Sequence, residues 1–113
     1  MGADLTITAT NRYFRDSYNP SNILWVLDLS YWDLDVILTK KGMLKNNILE
    51  VDGSKYMLKL LLESKITSKA IKQHLKKHKV TTLDADYFII KYCDAVSFWN
   101  EAVTQGSKVR WSV

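Results

Sequence analysis

Residues 13–32, YFRDSYNPSNILWVLDLSYW, hold six of the thirteen aromatic side chains: Tyr13, Phe14, Tyr18, Trp25, Tyr31 and Trp32. Large rings bury much area with definite packing geometry, and polar groups between them need hydrogen bonds wherever they are buried. The stretch is therefore either the packing nucleus of a small domain or an adhesive surface. Asn19-Pro20 reads as a helix start, with an asparagine N-cap and a proline in the first turn, leading into SNILWVLD. Leu24, Trp25 and Leu27 read as the core of that helix, as do Trp32 and Val36 of the next. The preceding NRYFRDSYN is too polar for a buried helix and too aromatic for a spacer. It is either a packed loop tied down by Arg15 and Asp16, or an exposed recognition loop anchored by Tyr13, Arg15 and Tyr18.

The surrounding pattern is mostly helical. Ser30 caps a helix over YWDLDVILTKK, with Asp33 and Asp35 near its start, Lys40 and Lys41 at its end and Gly42 as the stop. Trp32, Leu34, Val36 and Leu38 also alternate as in a strand, so 31–41 carries both signals. A third helix opens at Asp52-Gly53-Ser54, a fourth is capped by Thr67, and the longest is capped by Thr82 and stopped by Gly106. The stripe Ala85, Phe88, Ile89, Tyr92, Val96, Trp99, Val103 keeps helical spacing along that last one. At the two ends, residues 4–10 and 107–113 alternate apolar and polar and read as paired strands. The expected fold is mainly α within an α+β class: one domain over 1–113, about five helices and a small terminal two-stranded ribbon.

Composition narrows the chemistry. A chain of 113 residues with 47% hydrophobic and 25% charged side chains is an ordinary globular domain. Cys93 is the single cysteine, so no intramolecular disulfide forms and a reducing, cytoplasmic setting is expected. The N-terminus lacks the charge and apolar run of a secretory signal, and no apolar run is long enough for a membrane span. Gly2, Gly42, Gly53 and Gly106 are isolated, which excludes a P-loop and a dinucleotide-binding fingerprint. No complete catalytic constellation and no cofactor motif is present. Cys93 lies mid-helix without a histidine partner and reads as an inert packing residue. The carboxylate pairs Asp33/Asp35 and Asp84/Asp86 sit in first helical turns, where they offset the helix dipole.

Two histidines, His74 and His78, have the i, i+4 spacing of a metal pair. The lysines around them repel a cation and the segment holds no acid, so their reading is structural rather than metal-binding. The lysines themselves are unevenly placed. Residues 64–83 contain six of them and no acid, while the net charge of the chain is +4. Lys65, Lys69, Lys72, Lys76 and Lys79 fall along one helical side, beside a narrow seam of Ile71 and Leu75. Such a face is either solvated surface or a contact for nucleic acid, a phosphorylated ligand or an acidic partner.

The opening MGADL, followed by YFRDSYN, a Trp-containing helix and LDLSYW, resembles a group of small bacteriophage and bacterial proteins without an assigned activity. In their pattern the middle of Leu27-Asp28-Leu29 is often glycine and Tyr31-Trp32 is often two tryptophans, so this chain departs at both places. The resemblance covers about the first third and implies a phage or bacterial origin and a cytoplasmic accessory role. Together with the residues, it leads to the expectation of a non-enzymatic binding protein that occupies a surface of a host or phage protein. The alternative is an anion binder acting through the Lys65–Lys79 face.

Overall fold

A computed structural model describes residues 2–17 and 19–113. The chain begins with strand β1 (Ala3–Ile7), which buries Ala3, Leu5 and Ile7 and turns Asp4 and Thr6 outward. That alternation is what the sequence pattern required, since side chains along a strand point to opposite faces. β1 pairs antiparallel with β5 (Val109–Ser112), Leu5 opposite Trp111 and Ile7 opposite Val109. The two ends of the chain thus meet in one sheet, as their alternation predicted.

The sheet is larger than a ribbon. Arg12–Asp16 form β2, paired antiparallel with β1, and a hairpin of β3 (Leu44–Lys45) and β4 (Ile48–Leu49) joins β5 from the other side. The order is β2-β1-β5-β4-β3. Asn46 and Asn47 make the hairpin turn with φ of 52° and 62°, the left-handed pair that a two-residue turn needs and that asparagine tolerates. The expected five-helix domain with a terminal ribbon is therefore corrected. Among the described residues there are four α-helices and a five-stranded antiparallel sheet, an α+β fold.

β2 stands where a loop was expected, and the strand is hard to read in the sequence because one of its inward residues is charged. Phe14 and Asp16 both point into the core, and Asp16 is fully buried. Its Oδ2 accepts from the Tyr31 hydroxyl at 2.6 Å and from the Ile23 N–H, its Oδ1 accepts from the Ser17 N–H, and the Lys91 ammonium lies 3.6 Å away. A carboxylate so partnered can occupy a core position, which breaks the apolar alternation by which strands are recognised.

The helix expected from Asn19-Pro20 is a short 3-10 helix over Ile23–Leu27. Its cap is Asn22, whose Oδ1 accepts from the Trp25 N–H at 2.9 Å. Asn19, the expected cap, is exposed and donates from Nδ2 to the Leu29 carbonyl at 3.3 Å. Asp28 ends the turn at φ 58°, with its N–H directed at the Leu24 and Trp25 carbonyls.

Helix α1 (Tyr31–Lys40) starts in a reciprocal capping box between Ser30 and Asp33, so the helical signal of this stretch prevails over its alternation. α2 spans Val51–Glu63, α3 spans Ser68–Lys77 under the predicted Thr67 cap, and α4 spans Ala85–Thr104. The α4 cap is Asp84, accepting from Tyr87 N–H at 2.9 Å, two residues beyond the expected Thr82. Ala95, Phe98, Trp99 and Ala102 of α4 pack in the main core with the sheet and α2, while Ala85 and Phe88 pack with Ile71 and Leu75 of α3 in a second cluster. The long helix therefore ties a small α3 subcore to the main body. Cys93, read as packing, is exposed on α4. Among the described residues no helix is long and apolar enough to cross a membrane.

Candidate functional site

Three surfaces carry chemistry, and the first lies on α1. The helix buries Tyr31, Leu34 and Leu38, a spacing of three and four that rotates Trp32 and Val36 outward. Trp32 is 64% exposed and Val36 55%. Both were expected in the core; the helical phase set by Tyr31, Leu34 and Leu38 moves them to the surface. With Asp35 and Val113 they line an open depression of about 220 Å³. Asp35 is fixed there, because its Oδ2 accepts from Trp111 Nε1 at 3.0 Å. A second depression begins on the far side of Asp35, lined by Thr39, Leu44 and the Asn46-Asn47 turn. The two depressions share Asp35 as a lining residue.

The second surface is the outer face of the sheet beside its β2 edge, which presents Tyr13 and Arg15. Tyr13 is 56% exposed. Its hydroxyl donates to the Asp4 carboxylate across the strand pair, and Arg15 Nη1 donates to the same Oδ1 at 2.9 Å. The Tyr13 hydrogen bond above all, with Arg15 beside it, holds the Asp4 carboxyl below its ordinary value. Tyr13 and Arg15 are thus brought together on the outer face of an edge strand rather than on a loop. Tyr18, the third proposed anchor, lies outside the described residues. Lys91 Nζ reaches the Arg15 carbonyl at 3.4 Å, and a lysine at a sheet edge discourages strand addition.

The third surface is α3 and its flanks. Lys69, Lys72, Lys76 and Lys77 are exposed on the helix, and Lys65 and Lys79 are exposed in left-handed positions before and after it, at φ 51° and 56°. Among the described residues none of these six ammonium groups lies within ion-pairing distance of a carboxylate, as is also true of Lys40, Lys41, Lys45 and Lys55, whereas Lys59, Lys91 and Lys108 each find one; what sets this face apart is the density of its charge.

His74 and His78 emerge from the same helix on its other side, toward the 3-10 helix. Their rings are 4.4 Å apart, and Trp25 packs edge-on against His74 at 4.2 Å and tilted against His78 at 5.2 Å. Burial is the main cause that holds the His74 imidazole below its ordinary value; His78 and Lys77 push the same way, against Asp28 and the nearby Trp25 backbone. The acid absent from the histidine segment is supplied from elsewhere in the chain, with Asp28 Oδ1 lying 3.9 Å from His78 Nε2. No spacing in the sequence signals that approach, because it depends on where the chain reverses at Asp28. The exposure of Trp32, in contrast, is readable from the phase of Tyr31, Leu34 and Leu38.

Comparison with family models, with curated proteins and with solved structures finds no match. The surfaces themselves carry the functional reading.

Proposed function

We propose that this chain is a small non-enzymatic binding protein that occupies a surface of another protein, and that it docks through the Trp32–Val36 face of α1. The observation that carries this reading is the outward tryptophan. Binding energy concentrates in tryptophan, tyrosine and arginine anchors, and a half-buried amphipathic helix has no folding reason to expose its largest side chain. The depression beside it supplies an apolar receptor and the fixed Asp35 a carboxylate, so the fitting partner segment presents an apolar side chain next to a basic group. The resemblance of the N-terminal third to small phage and bacterial proteins supports a host or phage protein in the cytoplasm as the partner. Tyr13 and Arg15 extend the exposed polar surface but are already engaged with Asp4.

A photo-crosslinking residue at position 36 in the native host should capture a defined partner. The purified partner should then bind Trp32→Ala and Asp35→Asn at least about tenfold more weakly than the wild type, a loss of about 1.4 kcal/mol that exceeds what most interface side chains contribute. The same affinity in both variants, with unchanged melting temperatures, would move the interface elsewhere.

The run of exposed lysines on α3 and its flanks, without a carboxylate partner among the described residues, favours a second reading, an anion binder that meets nucleic acid or a phosphorylated ligand through Lys65, Lys69, Lys72, Lys76 and Lys79. The face has neither arginine nor a stacking ring, so the contact it suits is with phosphate rather than with bases.

A further inference from the structure

We infer that Asp28, His74 and His78 form a binding site for a divalent transition-metal ion of the zinc class, set apart from the Trp32 face and independent of its reading. One donor atom from each of the three residues lies within 4.8 Å of the others. They come from two separate elements, which is how a metal staples a fold. Tetrahedral zinc with bonds of 2.0–2.2 Å places its donors roughly 3.4 Å apart, so closure needs about an ångström of movement. Asp28 and His78, with side chains 68% and 37% exposed, have that freedom. The backbone under Asp28 is fixed by its own N–H and by the left-handed turn.

His74 gives the second, independent observation. Its Nε2 is buried and has no hydrogen-bond partner among the described residues. A buried polar atom without a partner is uncommon, and a metal bond supplies the missing partner. Trp25 packs against the His74 ring and limits its rotation, the orienting role that outer-shell neighbours play at metal centres. Two imidazoles and one carboxylate suit zinc, copper, nickel or cobalt, not magnesium or calcium, which prefer oxygen ligands. A fourth position stays open to solvent for water. The lysines of α3 oppose the cation, and Asp28 is the charge that offsets them.

Calorimetric titration of the intact chain in a Cys93→Ser background, which removes the exposed thiol as a competing ligand, should give one-to-one binding of Zn²⁺ and none of Mg²⁺. Cu²⁺ should quench tryptophan emission, and Trp25→Phe should remove most of that quenching. Asp28→Asn keeps a residue that tolerates the left-handed backbone and, like His78→Gln, should weaken Zn²⁺ at least about tenfold without changing the circular dichroism spectrum. An absence of one-to-one Zn²⁺ binding would overturn the inference. So would equal Zn²⁺ affinity in the folded Asp28→Asn and His78→Gln variants, since the ion would then be held elsewhere.

Discussion

The Tyr31 hydroxyl donates to Asp16 Oδ2 at 2.6 Å and joins the last residue of β2 to the first residue of α1 inside the core. Both groups are buried, so neither can exchange the bond for water. Tyr31→Phe keeps the ring that packs against Trp111 and removes only the donor. Asp16 retains two backbone N–H groups and Lys91, so the loss should be about 1–3 kcal/mol. Urea denaturation will measure it. A loss within error would mean that the carboxylate is satisfied without the tyrosine.

The same carboxylate makes stability depend on pH. Burial raises its pKa above the ordinary 3.8, against the lowering effects of Tyr31, Lys91 and the Ile23 and Ser17 N–H groups. The folded chain therefore binds more protons than the unfolded chain in a window that opens at that ordinary value, and within the window stability from this group falls as pH rises. Below it both states are protonated and the contribution is constant. Stability of the wild type relative to Asp16→Asn should decline as pH increases through the window. A difference that is flat with pH would show that the hydrogen bonds cancel the burial.

What was legible in the sequence was what obeys a period or a cap. Leu5, Ile7, Val109 and Trp111 alternate cleanly and pair as expected, and Ser30 and Thr67 cap the helices they were assigned. The strands that were missed depend on tertiary contacts. Asp16 inside β2 hid a strand, and the four-residue β3–β4 ladder is held largely by β5, with Trp111 N–H donating to the Asn47 carbonyl at 2.8 Å. The lysine face was visible as a charge run. The exposed Trp32 face is obscured when an aromatic on a helix is placed in the core without fixing the helix's phase. Asp28 beside His78 had no sequence signal at all.

The cap of the 3-10 helix separates two asparagines that look alike in sequence. Asn22 is buried and bonded to the Trp25 N–H, whereas Asn19 is exposed and makes one long bond. Asn22→Ala should cost about 1 kcal/mol, the usual loss for an N-cap. Asn19→Ala should stay within about 0.5 kcal/mol, as surface changes do. Thermal melts of the two variants in one buffer test the assignment, and a larger loss for Asn19→Ala would return the cap to that position.

The lysine face predicts opposite outcomes for stability and for polyanion binding. Lys69 and Lys72 are three residues apart on α3, and Lys72 and Lys76 four, so each pair repels by roughly 0.2–0.5 kcal/mol. The helix is held by Ile71 and Leu75, which the lysines do not touch in sequence phase. Changing Lys69, Lys72 and Lys76 together to Ala relieves repulsion and inserts the best helix former, so the melting temperature should hold or rise. If the face binds phosphates, wild-type retention on heparin and on short duplex DNA should fall steeply with salt, because every neutralised phosphate releases counterions. The triple variant should elute earlier, with a salt slope smaller by about three contacts. Wild-type protein that fails to bind either polymer at low salt would remove nucleic acid as the ligand. Binding that survives in the triple variant with its slope intact would place the contact on another surface.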